Sequence, residues 1–207
     1  AIILDTETHT LNGLPIEIAY APIEIENAKL SLDKSQLFDQ LYQVGQPISY
    51  AAMAVHHILE SDLVDQPQYT EFQLPPSTVY IIGHNVDYDI AAIARCGVDT
   101  TQLKPICTLA LARRVWENAD AHNISALIYQ ITKGSAKARE MLKGAHRGVG
   151  KTRINITAGH LATKCRRRIG RAVVDKRRCQ KHGWAMFTLN GAAMTHANGL
   201  GVKSHFV

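Results

Sequence analysis

The chain has 207 residues, of which 46% are apolar and 20% are charged. That length and composition allow one globular domain of ordinary core size with an extension. The sequence contains no run approaching the ~20 apolar residues of a membrane span and does not open with an export signal, so we expect a cytoplasmic protein without membrane contact. The four cysteines lack metal-type spacing, which favours free thiols over disulfides.

The net charge of +5 is the balance of two unlike segments. Residues 1–144 hold 10 Lys and Arg against 17 Asp and Glu, whereas residues 145–207 hold 13 against 1. Three interpretations of the basic end stay open: an arm that binds DNA or RNA, a disordered tail, or a non-native segment created by a change of coding frame near residues 147–151. We predict a folded domain over residues 1–164 and a basic C-terminal tail over residues 165–207.

The first predicted strand ends in two carboxylates. Its apolar, β-branched start is followed directly by Asp5, Thr6 and Glu7. Because residues i and i+2 of a strand point to the same face, the side chains of Asp5 and Glu7 can converge. Hard divalent cations such as Mg2+ and Mn2+ prefer carboxylate oxygens. The pair therefore indicates either a metal site or, alternatively, a strand that runs into a solvated acidic turn.

Two further strands are predicted after a turn at Asn12-Gly13, giving three antiparallel strands at the start of the chain. Polar and apolar residues alternate along residues 15–21 and 23–26, and residues 37–44 continue the meander. The alternation places Glu17 opposite its apolar neighbours. We therefore predict that Glu17 faces solvent.

The middle of the chain alternates strand and helix signals. Ser49 is a predicted N-cap for a helix over residues 51–57. A β-branched burst over residues 78–83 is typical of a strand buried on both faces, and a helix from Tyr88 follows it. Asp89 therefore lies close to a junction between strand and helix.

Residues 106–109 predict a short strand or turn, followed by a helix through Trp116 and another over residues 123–131. Together with the opening meander, this order of elements predicts an α/β domain. We expect a mixed sheet of about five strands flanked by helices.

Several short motifs have the order and spacing of one enzyme family. They are Asp5-Thr6-Glu7, Val55-His56-His57-Ile58, Gly83-His84-Asn85 followed by Tyr88-Asp89, and Ala145-His146-Arg147. Together they resemble the DEDD exonucleases of the histidine subtype, which have a ribonuclease-H-like fold and include the epsilon proofreading subunit of bacterial replicative polymerase. Residues 106–116 are most similar to the exodeoxyribonuclease X branch. The resemblance covers about residues 1–164.

The resemblance implies a nuclease that hydrolyses phosphodiester bonds of DNA or RNA from a 3' end with two Mg2+ or Mn2+ ions. It implies that Asp5 and Asp89 are metal ligands and that Glu7 is a ligand that also helps to position the attacking water. His146 matches the general base, since its ordinary pKa lets it accept a proton near neutral pH. The expected partner is nucleic acid with a single-stranded 3' end, contacted by Thr6, His84, Asn85 and Arg147.

The sequence departs from the family at the final metal ligand. The third motif requires His, four residues and then Asp, but the residue five positions after His146 is Lys151. An ammonium group there opposes cation binding. Two hypotheses therefore stay open: an active metal-dependent 3'-5' exonuclease, or a catalytically impaired relative that binds nucleic acid through the same cleft and the basic tail.

Overall fold

The computed structural model describes residues 1–26, 29–32 and 34–142. The strands within these residues are β1 (Ile2–Thr8), β2 (Pro15–Glu26), β3 (Lys29–Leu32), β4 (Phe38–Leu41), β5 (Tyr80–Gly83) and β6 (Lys104–Cys107). The α-helices are α1 (Tyr50–His56), α2 (Val86–Ala94), α3 (Thr108–Val115), α4 (Ile124–Ile131) and α5 (Ala136–Leu142). Short 3-10 turns occupy Lys34–Gln36, Glu60–Leu63 and Tyr69–Glu71. The predicted boundary between domain and basic tail lies outside the described residues.

The strands form one mixed sheet in the order β3-β2-β1-β5-β6, with β4 also paired to β2. The pairs of β2 with β1, β3 and β4 are antiparallel, while β5 is parallel to both β1 and β6. β3 pairs with residues 23–26 of β2 and β4 pairs with residues 17–20. They therefore share one outer position, and the expected mixed sheet of about five strand positions is confirmed.

The outer position differs in detail from the prediction. Residues 15–26 form one continuous strand of 12 residues, which is long enough to pair with two short segments in succession. The predicted strand over residues 37–44 shrinks to β4, and β3 was not predicted. Four residues carry too little alternation to reveal a strand.

Apolar side chains from alternate strand residues fill both faces of the sheet. One face packs Ile2, Leu4 and Ile18 against Val86 and Ile93 of α2. The opposite face buries another cluster, consisting of Ile3, Ala19, Ala21, Ile23 and Ile82. Both faces of β5 are covered, because Ile81 belongs to the first cluster and Ile82 to the second. This confirms the strand predicted to be buried on both faces.

The helix ends follow local sequence signals. The Ser49 side chain accepts a hydrogen bond from the Ala52 N–H at 3.2 Å and caps α1, as predicted. α2 begins at Val86, two residues before the predicted Tyr88, because Asn85 turns the chain with a φ of 71°. Asn adopts this left-handed region more readily than most residues. No helix in the part of the chain described here is long and apolar enough to cross a membrane.

Candidate active site

The candidate site lies where β1 and β5 stop running side by side. These parallel strands pair only through Ile2 with Ile81 and Ile3 with Ile82, and β1 continues alone along this edge to Thr8. α2 starts three residues after β5 ends, so its first turns approach the free side of β1. Crevices at the carboxyl ends of neighbouring parallel strands are frequent ligand sites in α/β sheets.

Asp89 is the buried acid of this crevice. Its side chain is 4% exposed, and Oδ1 accepts hydrogen bonds from both the N–H and the hydroxyl of Thr6, each at 2.9 Å. Burial and the neighbouring Asp5 raise the pKa of Asp89 well above the ordinary value of 3.8, more than the Thr6 hydrogen bonds lower it. Two carboxyl groups are therefore held close together, where a proton or a cation relieves their repulsion.

Gly83 allows this close arrangement. A Cβ atom on Gly83 would lie 3.2 Å from Oδ2 of Asp89 and 3.2 Å from Cβ of Val86. Both contacts are tighter than ordinary van der Waals contacts, so a larger residue would push Asp89 or α2 away from the end of β5. The glycine that precedes His84 thus has a steric reason to be there.

Glu7 has an acidic neighbour that the sequence interpretation placed in solvent. Glu17 of β2 lies directly across from Glu7 in the antiparallel pair, and opposed residues project to the same face. The Glu17 side chain is only 7% exposed, so the solvent-facing prediction was wrong. Alternation correctly separates Glu17 from Ile16 and Ile18, but the face that Glu17 shares with Ala19 and Ala21 is itself buried.

The donor chemistry of the crevice suits a hard divalent cation. Asp5 and Asp89 interact electrostatically, and Glu7 projects from the same face of β1 as Asp5. Across the described ranges, however, no three or more His, Cys, Asp or Glu side chains are arranged to hold a metal ion. His146 and Lys151 lie outside these ranges. The described residues therefore bring two carboxyl groups together without forming a complete set of metal ligands.

The four residues predicted to contact nucleic acid lie in different surroundings. Thr6 is 5% exposed and its hydroxyl is bonded to Asp89, which makes it a support for that carboxylate. Asn85 forms the turn before α2. His84 uses both ring nitrogens within the protein, toward the Thr108 hydroxyl at 3.1 Å and the His122 carbonyl at 2.8 Å. Arg147 lies outside the described residues.

Two hydrogen bonds that hold the site together were not predicted. The hydroxyl of Thr8, at the end of β1, forms a hydrogen bond with the hydroxyl of Tyr88, which precedes Asp89 on α2. The hydroxyl of Thr108 donates to the carbonyl of Gly83 at 3.1 Å. Both bonds join residues far apart in the sequence, so no local pattern could have indicated them.

The raised pKa of Asp89 gives a pH dependence for the metal-free protein. A carboxyl group whose folded pKa exceeds its unfolded value binds its proton more tightly in the folded state, so stability falls as pH rises from about 4 through the raised value. We expect the thermal midpoint in EDTA to drop more between about pH 5 and pH 8 in the wild type than in Asp89→Asn. If the thermal midpoints of the two proteins fall equally over this pH range, Asp89 is not the group whose pKa is raised.

No protein-family model matches the chain. Exodeoxyribonuclease 10 of Escherichia coli strain K12 is 30% identical over 125 residues, which cover 59% of this chain and 51% of the relative. The same protein from Escherichia coli O6:H1 strain CFT073 matches equally. The chain thus spans about half the length of the curated relatives it matches.

One solved structure agrees with this sequence similarity. Exonuclease X in complex with 5' overhanging duplex DNA aligns with a TM-score of 0.54 and 25% identity, over 80% of this chain and 89% of that one. Brucella melitensis NrnC with bound Mg2+ aligns with a TM-score of only 0.42 and 15% identity, over 87% and 79%, and is too distant to inform the site. The chain is therefore a distant homologue of exodeoxyribonuclease X, with the ribonuclease-H-like fold of the DEDD exonuclease family.

Proposed function

We propose that this chain is a metal-dependent 3'-5' exonuclease that hydrolyses phosphodiester bonds of DNA or RNA. The observation that carries the proposal is the pair of Asp5 and Asp89, held together at the carboxyl end of β1 by the hydrogen bonds from Thr6. A buried carboxyl group beside a second carboxyl group is costly in free energy unless a proton or a cation offsets their repulsion. We propose that a divalent cation fills this role.

Each site residue has a role in the proposed reaction. Asp5 and Asp89 hold divalent cations, and Thr6 fixes the orientation of Asp89. Glu7, on the same face of β1 as Asp5, binds a cation and orients the attacking water. His146 accepts the proton from that water. When bound, Mg2+ or Mn2+ ions stabilise the charge that develops on the attacking and leaving oxygens.

The proposed substrate is a nucleic-acid strand with a free 3' end. The related exonuclease X was solved with overhanging duplex DNA, and the 13 Lys and Arg among residues 145–207 supply positive charge that attracts phosphates. We place the 3' end beside Asp5 and Asp89, with Asn85 and Arg147 among the residues that contact the strand. Thr6 and His84 act through other residues instead.

One observation favours a second candidate function, in which the chain binds nucleic acid without cleaving it. By the spacing of the third motif, Lys151 aligns with the family's final aspartate, and a positive charge there would oppose the binding of a cation nearby. The chain would then bind nucleic acid through the same cleft and the basic segment without cleaving it.

An assay with 5'-labelled single-stranded DNA and RNA separates the two functions. An active exonuclease is expected to produce a ladder that shortens from the 3' end in Mg2+ or Mn2+, with none in EDTA and none when the 3' end is blocked. Binding in a gel-shift assay without a ladder supports the impaired relative. A chain that neither binds nor cleaves either oligonucleotide contradicts both proposals.

A further inference from the structure

His84 forms the centre of a hydrogen-bond chain that links three separate elements. It follows the last residue of β5 directly, and its Nδ1 contacts the hydroxyl of Thr108 at the start of α3. Its Nε2 donates to the carbonyl of His122, which lies in the connection between α3 and α4. Thr108 in turn donates to the carbonyl of Gly83. The end of β5, the start of α3 and the α3–α4 connection are therefore tied at one point.

Both nitrogens of the imidazole are committed to this chain. The His122 carbonyl can only accept, so Nε2 carries a proton. The Thr108 hydroxyl has one proton, which it donates either to the Gly83 carbonyl, with Nδ1 of a protonated ring donating to the hydroxyl oxygen, or to Nδ1 of a neutral ring. In each case no nitrogen of His84 is left to bind a nucleic-acid strand.

The connection that His84 holds, residues 116–123, is braced within itself. The His122 Nε2 donates to the carbonyl of Trp116 at 3.0 Å, and the same carbonyl accepts from the Ala119 N–H at 2.9 Å. Trp116 and Ala119 also pack against the small core formed by Ala112 and Leu127. The connection is therefore packed together with α3 and α4 into one α3–α4 unit, and the bond from His84 ties it to the end of β5.

Arg113 is an exposed cation on this unit. It lies in the last turn of α3 and interacts electrostatically with His84, whose pKa burial lowers and the Arg113 charge lowers further. Four residues separate His84 from Asp89, namely Asn85, which turns the chain, and the first three residues of α2. Arg113 therefore belongs to a helix that starts at the same edge of the sheet as the crevice, because the Thr108 hydroxyl donates to the carbonyl of Gly83 at the end of β5.

We propose that His84 is a positioning residue: through Thr108 and the main chain of His122 it holds the α3–α4 unit beside β5, so that Arg113 meets a phosphate of the bound strand. This inference rests on the proposed function. It identifies the ligand of Arg113 as a phosphodiester backbone, which guanidinium groups bind through charge-assisted hydrogen bonds.

Two substitutions of His84 separate its two hydrogen bonds. The Gln amide in His84→Gln reaches the position of Nε2 and can still donate to the His122 carbonyl, whereas the shorter Asn in His84→Asn reaches only the position of Nδ1. We expect His84→Asn to raise KM for a single-stranded oligonucleotide about fivefold with kcat nearly unchanged, and His84→Gln to restore the wild-type KM. Equal KM values for all three proteins would overturn the inference.

A structural readout does not depend on activity. With Trp184→Phe as background, Trp116 is the remaining tryptophan, and acrylamide quenching of its fluorescence reports how closely the connection is held. We expect greater quenching in His84→Asn than in His84→Gln or the unsubstituted protein. Unchanged quenching in His84→Asn would show that the bond to His122 does not hold the unit, and would overturn the inference even if the wild type is an active nuclease.

The phosphate contact has its own test. Arg113→Gln should weaken oligonucleotide binding and make the logarithm of affinity less dependent on the logarithm of salt concentration by about 0.7, the value for one phosphate contact on a single strand. Arg95→Gln, at the exposed C-terminal end of α2, is the matched control and should leave that slope unchanged. Equal slopes for both variants would overturn the phosphate contact. A wild-type chain without binding or cleavage would refute the proposed function together with this contact, while the quenching result would still decide the role of His84.

Discussion

Replacing Asp89 by Asn is expected to lower the rate of oligonucleotide hydrolysis by about a thousandfold or more. Bound cations contribute several kcal/mol of transition-state stabilisation, and each ~1.4 kcal/mol corresponds to a factor of ten in rate. The Asn side chain keeps an oxygen that can accept from the N–H and hydroxyl of Thr6, so the link between α2 and β1 is preserved. The loss of activity should therefore come from the missing charge and not from unfolding.

Asp87→Asn provides a matched control. Asp87 lies on the same first turn of α2 but is exposed, and its replacement should leave activity unchanged. Thermal denaturation with and without Mn2+ adds a measurement independent of turnover. We expect Mn2+ to stabilise the wild type and Asp87→Asn but not Asp89→Asn. An Asp89→Asn protein that keeps the wild-type rate would show that the cations bind elsewhere.

Lys151→Asp is expected to raise the hydrolysis rate about a hundredfold. By motif spacing Lys151 aligns with the family's final metal ligand, so the substitution would remove a positive charge there and supply a carboxylate. Restored cation binding would then contribute several kcal/mol, at ~1.4 kcal/mol per factor of ten in rate. The measurement is the initial rate on a 5'-labelled single strand in Mg2+ and in Mn2+. Lys151 lies outside the described residues, so this expectation comes from the sequence motif.

Two further variants test the cause of the higher hydrolysis rate expected for Lys151→Asp. Lys151→Ala removes the positive charge without adding a ligand, and should recover only a small part of the gain. Adding Asp5→Ala to Lys151→Asp should abolish the gain, because the new carboxylate can act only together with the pair at the end of β1. If the unmodified chain already cleaves at the rate of Lys151→Asp, another group completes the cation site and this account of Lys151 is wrong.

The fold follows from local patterns to a large extent. The apolar start of β1, the buried burst of β5, the Ser49 cap and the alternation along β2 all predicted the elements that form there. These signals are reliable because they depend on residues close together in the chain, where side-chain direction is set by backbone geometry. The division of the outer strand position between β3 and β4 was not predicted, because such short segments carry almost no periodicity.

The site shows where local patterns stop being sufficient. The sequence alone determined that Asp5 and Glu7 share a face of β1 and that Asp89 follows the next buried strand, because spacing and the strand-to-helix order fix both. It could not determine that Thr6 holds Asp89 across 83 residues of sequence, that Glu17 is buried opposite Glu7, or that His84 is bonded on both nitrogens. Periodicity says which side chains share a face, whereas the packing of distant elements decides which faces are covered and which polar groups meet, and only the tertiary structure contains that packing.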